Sequence, residues 1–228
     1  MQCYFGIVTL VAVSGGKDSW VLLDVLQHFL KVSPERFELI PVTIDIGFSE
    51  SELETVKSGY RQIAPNLPWK IIKTKITEIA LEKNSPGKHL CAFCARLRRG
   101  ALYRIASENH CNKIALGHHA DDAIETTLIS CFYEGNLTSL PPKVKTDDPS
   151  LSVIRPLILV WENEIIQYSD ERNFPTITCE RKNASGGRRK RIKNLLEQLE
   201  LEHPEIKRNF LAALQKIMPE RFLDNKWL

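Results

Sequence analysis

Long apolar runs are missing from this 228-residue chain, and none approaches the roughly 20 residues needed to cross a bilayer. That excludes a membrane-spanning helix and argues against a membrane partner. The apolar stretch at residues 5–13 is too short and continues into a glycine-bearing turn. It reads as a buried strand rather than a secretory signal. A strong excess of one charge is missing too, and a net +3 does not by itself imply nucleic acid. Internal repeats and low-complexity tracts are absent. So is a second Cys-x-x-Cys, which a closed zinc site of four cysteines would use. Six cysteines without a secretory signal imply a reducing, cytoplasmic setting, where paired thiols bind metal more often than they form disulfides.

What is present is organised around Val13-Ser14-Gly15-Gly16-Lys17-Asp18-Ser19. An apolar run, Ile7 to Val13, leads into it, and a helical pattern, Trp20 to Leu26, leaves it. Strand, small-residue turn and helix aim several backbone N–H groups and a helix N-terminus at one spot, and such a spot attracts phosphate. Gly15 and Gly16 let the backbone approach that guest without a Cβ in the way. Ser14 and Ser19 offer hydroxyls, Lys17 a point charge, and Asp18 a carboxylate able to hold Mg²⁺ against phosphates. The Gly-x-x-x-x-Gly-Lys-Ser/Thr loop of P-loop ATPases is not here.

Beyond that turn a strand–helix rhythm dominates. Strands are expected at Phe37–Ile44, ending at Asp45, at Trp69–Thr74, at Lys113–Gly117 and at Val153–Leu157. Helices are expected from Ser49, which carries a capping signal with Glu52, from Phe93 to Asn109, from Asp121 to Cys131 and from Trp161 to Arg172. The alternation implies a Rossmann-like α/β fold, a parallel sheet with helices on both faces. Ligands in such sheets sit beyond the carboxyl ends of the strands, where Ser14, Asp45 and Gly117 all fall. Residues 135–150 are expected to form a long loop. From 183 onward the composition turns basic and helical, with a break at His203-Pro204-Glu205. The expected division is a catalytic domain at 1–180 and a helical extension at 181–228.

Two further segments carry chemistry. In Gly117-His118-His119-Ala120-Asp121-Asp122-Ala123-Ile124-Glu125-Thr126, Asp122 and Glu125 share a helix face and suit Mg²⁺. N-capping and compensation of the helix dipole account for such acids equally well. His118 and Asp45 are candidate contacts around a nucleotide. Cys91-Ala92-Phe93-Cys94 stands just before an expected helix, whose N-terminus lowers thiol pKa values. Cys179, in a loop after a helix, can reach across to that pair. Between 181 and 193 lie Arg181, Lys182, Arg188, Arg189, Lys190, Arg191 and Lys193 with no acid among them. Such a run is a solvated face or a grip on a phosphate backbone. Arg96, Arg98 and Arg99 extend the positive field.

Ser-Gly-Gly-Lys-Asp-Ser resembles the PP-loop of the ATP pyrophosphatases, and with Gly-His-His-x-Asp-Asp-x-x-Glu-Thr it resembles their tRNA-modifying subgroup. Cys91-x-x-Cys94-Ala-Arg-Leu-Arg-Arg-Gly-Ala-Leu-Tyr103 resembles the tRNA 2-thiocytidine synthetases. So do Cys111 to His119, Pro141-Pro142-Lys143, Ile154-Arg155-Pro156-Leu157, and Phe174-Pro175 upstream of Cys179. The resemblance runs from the phosphate turn almost to the C-terminus. It implies an enzyme that adenylates the C2 oxygen of cytidine 32 in a tRNA anticodon loop and replaces it with sulfur. ATP would bind Ser14, Gly15, Gly16, Lys17, Asp18, Ser19, Asp45, His118 and Asp122. Mg²⁺ would be held by Asp18, Asp122 and Glu125. A 4Fe-4S cluster would be held by Cys91, Cys94 and Cys179, which with Lys17 and Asp18 form the implied catalytic set. Four thiolates usually hold such a cluster, so three leave one iron open. The tRNA would meet Arg96, Arg98, Arg99, Arg188, Arg189, Lys190 and Arg191. A cysteine desulfurase-type sulfur donor and a homodimer complete the implied partners.

The chain departs from the family at two points. Fewer residues precede its first strand than in family members, and Lys182 stands where they often carry a further cysteine. The rivals are zinc or bare persulfide thiols at the cysteines, a 2-thiouridine synthetase, a lysidine-synthetase-like ligase, and a tRNA-binding module without catalysis.

Overall fold

The computed structural model describes residues 6–82, 90–177 and 187–218. The chain divides into two compact units, Met1–His119 with Pro142–Ala184, and Ala120–Pro141 with Ser185–Leu228. The first holds β1 (Ile7–Ala12), α1 (Lys17–Val32), β2 (Phe37–Asp45), α2 (Glu50–Ile63), β3 (Lys70–Lys73), α3 (Ile76–Glu82), α4 (Leu90–Glu108) and β4 (Lys113–Ala115). After the excursion through α5 (Ala120–Glu134) it continues with β5 (Lys143–Lys145), β6 (Ser152–Ile154) and α6 (Glu162–Glu171). The second unit takes α5 together with α7 (Arg188–Glu202) and α8 (Ile206–Gln215).

The sheet order is β3-β2-β1-β4-β6-β5. Every pairing is parallel except β5 with β6. Successive strand residues point to opposite faces, so β1 seeds two cores at once. Val11 packs with Trp20 and Leu23 of α1, Tyr60 of α2 and Ile165 of α6. Its neighbour Leu10 packs with Ile76 of α3 and with Leu102 and Ile105 of α4. The expected parallel sheet with helices on both faces is therefore what the chain builds.

Two elements differ from expectation. α4 begins at Leu90, so Cys91 and Cys94 lie inside the helix and not ahead of it. No Ser, Thr, Asp or Asn directly precedes Leu90 to announce that start. The expected loop at 135–150 contains β5, a short antiparallel edge strand whose Lys-Val-Lys residues are all exposed. Lysines on an edge strand discourage further pairing, and three exposed residues leave no apolar alternation to detect.

Candidate nucleotide site

The phosphate turn leaves the carboxyl end of β1 at Val13, whose N–H donates to Val42 O of β2 at 2.9 Å. Gly15 takes φ +82°, a left-handed conformation natural to glycine. A Cβ there would also stand 2.7 Å from Val56 Cγ2 and 2.8 Å from Ile177 Cδ1. Gly16 caps α1 in an extended conformation, leaving the first amides of the helix without intrahelical partners. Ser19 is buried, and its hydroxyl donates to Gly16 O at 2.8 Å while accepting from Ser14 N–H at 3.1 Å. It fixes the shape of the turn from inside, whereas Ser14 is exposed at its crest.

Lys17 and Asp18 open α1. The Lys17 ammonium lies 2.8 Å from Asp18 Oδ1 and 3.1 Å from Glu162 Oε1 at the start of α6. Burial works against the ammonium, but these two carboxylates outweigh it and hold Lys17 above its ordinary pKa. The resemblance gave no role to Glu162, which is far from the turn in sequence. Gly117, after β4, comes so close to α1 that a Cβ would sit 2.8 Å from the Asp18 carbonyl oxygen. Glycine here lets the strand end abut the phosphate turn.

The turn opens on a cavity of about 560 Å³, a volume in the usual range for small-molecule sites. Ser14 and Gly16 line it, with Val42 and Ile44 of β2, the 46–49 loop, Arg98 and Leu102 of α4, and Ile177. Asp45 does not line it. One Asp45 carboxylate oxygen accepts the amides of Gly47 and Phe48, each at 2.8 Å, and thereby shapes the loop that does. The segment before Cys179 is tied to the turn, with Ile177 N–H donating to Gly15 O at 2.9 Å. The Trp20 indole donates to Pro175 O at 2.8 Å. On α4, Cys94, Arg98 and Leu102 recur every four residues and share one face. Cys94 is half-buried and in no disulfide. The side chain of Cys91, and all of Cys179, Arg181 and Lys182, lie outside the described residues.

Near the sheet's carboxyl edge, His118 Nδ1 accepts from Arg155 Nε at 3.3 Å. Burial pushes the Arg155 guanidinium below its ordinary pKa, and the nearby positive charge of Arg99 adds to this. Arg96 and Arg99 are exposed on α4, while Arg98 is half-buried.

In the helical unit, the first acids of α5 have basic partners, among them Asp122 and Glu125, the two expected near Mg²⁺. Asp122 meets Arg189 at 2.5 Å, Glu125 meets it at 3.4 Å, and Asp121 meets Lys207 at 3.3 Å. Arg188 lies over the Tyr133 ring, 4.9 Å from its centre. Lys190 and Arg191 are exposed. Among the described residues, no group of three or more His, Cys, Asp or Glu gathers as a metal site. No described helix is long and apolar enough to cross a membrane.

Parallel strands, a glycine turn at the sheet's carboxyl edge and a helix N-terminus beside one cavity define an α/β protein of the PP-loop family, and a profile described as a PP-loop domain matches residues 7–199. Within it the chain belongs to the tRNA-cytidine(32) 2-sulfurtransferase family. It is 40% identical over 216 residues to that protein of Geobacter sulfurreducens (strain ATCC 51573 / DSM 12127 / PCA), a match covering 94% of this chain and 83% of the relative. The Anaeromyxobacter sp. (strain Fw109-5) protein of the same name is also 40% identical over 216 residues, covering 94% and 71%. The U34-tRNA thiolase NcsA from Methanococcus maripaludis, solved with its 4Fe-4S cluster, shares the fold. Its TM-score is 0.70 at 22% identity, over 96% of this chain and 77% of that one.

Proposed function

We propose that this chain catalyses ATP-dependent tRNA thiolation, replacing the C2 oxygen of cytidine 32 in the anticodon loop with sulfur. The names of its relatives support the substrate, and the cavity supports the chemistry. The observation that carries the reading is the makeup of the cavity wall. Ser14 and Gly16 of the phosphate turn, Arg98 and Leu102 of α4, and Ile177, two residues before Cys179, all border one space, and Cys94 precedes Arg98 by one turn of the helix.

A carbonyl oxygen is a poor leaving group until it becomes a phosphate ester. The amides of the turn, the α1 N-terminus and Lys17 would gather the triphosphate and stabilise charge developing at the α-phosphorus. Attack by the C2 oxygen releases pyrophosphate, and AMP later departs with that oxygen when sulfur has added at C2. Mg²⁺ needs only one or two carboxylates besides phosphate oxygens. Asp18, beside the turn, fits that demand, while Asp122 and Glu125 hold Arg189. Glu162 would share the ammonium of Lys17 and aim its remaining donor. Cys94, half-buried and without a disulfide, suits thiolate ligation, and Cys91, Cys94 and Cys179 would together hold the 4Fe-4S cluster. When bound, that cluster would supply an open iron from which donated sulfide is presented to the activated base. Arg96, Arg99, Lys190 and Arg191 would meet tRNA phosphates, and a cysteine desulfurase-type protein would provide sulfur.

The test is anaerobic purification with iron and sulfide analysis, followed by ATP-dependent thiolation of tRNA and nucleoside mass spectrometry. Iron, sulfide and 2-thiocytidine are expected, with the product lost in Lys17→Ala and Cys94→Ser. Zinc without iron, or 2-thiouridine as the product, would overturn the reading.

A further inference from the structure

Arg98 differs from its basic neighbours on α4. Arg96 and Arg99 stand exposed, as residues that meet an RNA backbone do, whereas Arg98 is half-buried and lines the cavity. Its Nε–H is buried and has no hydrogen-bond partner among the described residues. A guanidinium donor withdrawn from water and left unpaired is costly, and native proteins rarely leave one without a partner. The carboxylate lining the same cavity, Glu52, is engaged at the start of α2, where it accepts from Ser49 N–H at 2.7 Å. Leu102 and Ile44 supply apolar wall, and Ser14 and Gly16 supply the phosphate turn. The anion that completes Arg98 is thus the one that the turn attracts.

We infer that Arg98 is a phosphate-contacting residue of this cavity, completing with the turn a two-sided grip on the phosphate chain of a nucleoside triphosphate. A planar guanidinium donates two parallel bonds to phosphate oxygens, which a lysine at the same place does not reproduce. The inference deepens the ATP-dependent reading and rests on it. It also takes Arg98 out of the tRNA surface to which the sequence assigned it. Because Arg98 follows Cys94 by one helical turn, the same face that presents the thiol also holds the phosphates.

The experiment titrates the full chain with ATP and Mg²⁺, and separately with adenosine, in the absence of tRNA. Arg98→Gln should weaken ATP binding at least about tenfold, the scale of one charge-assisted contact, and leave adenosine binding unchanged. Arg98→Lys should recover part of the loss. Arg104→Gln removes the same charge from an exposed site on the same helix and should bind ATP within about twofold of the wild type. Equal ATP affinity in Arg98→Gln overturns the inference, and so does an equal loss for adenosine, which would mark a change in cavity shape. A wild-type chain that binds no ATP overturns the parent reading as well, so the two failures are distinguishable.

Discussion

Tyr60, in α2, shows how far burial can move one group. Its ring stacks on Trp69 with centres 4.3 Å apart, and its hydroxyl donates to the Leu67 carbonyl. Burial pushes the phenol up to about 12 from the ordinary 10.0. The folded chain therefore favours the neutral phenol more than the unfolded chain does. Its contribution to stability is complete below pH 10 and disappears as pH rises toward 12. Urea unfolding at about pH 9 and pH 11.5 should show this loss in the wild type and a smaller one in Tyr60→Phe. At pH 9 the variant should be less stable by about 1 kcal/mol, the worth of one hydrogen bond. Residues of this kind were not legible in the sequence. The Lys17 and Asp18 candidates were, because turn and helix lie next to one another along the chain. Glu162 was not, since its link to Lys17 spans 145 positions and exists only through the fold. Arg98 was visible as a charge, but a row of arginines carries no sign of which one turns inward.

At the scale of elements, α2 begins with a complete capping box. Ser49 Oγ accepts from Glu52 N–H at 3.3 Å, and Glu52 Oε2 accepts from Ser49 N–H at 2.7 Å. Ser49→Ala should cost about 1 kcal/mol in denaturant unfolding. It should also weaken ATP binding, because Ser49 and Glu52 line the cavity. This helix, β2 and the break before α8 were legible because capping chemistry, apolar runs and proline are local signals. The start of α4 and the whole of β5 were not. A helix without a capping residue and a strand of three exposed residues are specified by what they pack against or pair with. For α4 the consequence is chemical, since the Cys94 thiol belongs to a helix face and not to a loop before it.

At the scale of the whole molecule, charge is distributed more tellingly than the net +3 suggests. Within the basic run, Arg188 lies on Tyr133 and Arg189 is paired with Asp122 and Glu125. Both contacts lie within the helical unit, while Lys190 and Arg191 stand exposed. If tRNA binds there, Lys190→Ala with Arg191→Ala should weaken binding and flatten the dependence of log K on log salt by about 1 to 2 units. Filter binding across salt concentrations reads that slope, and an unchanged slope would remove this face from the tRNA surface. Arg189→Ala should instead lower thermal stability.

The chain leaves the sheet after His119 and returns at Pro142. Arg155 touches both margins of that detour, through its N–H to Pro142 O at 2.8 Å and through Nε to His118 Nδ1 at 3.3 Å. One side chain and its own amide thus fasten the neck of a pouch of chain. The residue that follows β6 therefore sets both where the chain departs from the sheet and where it rejoins it.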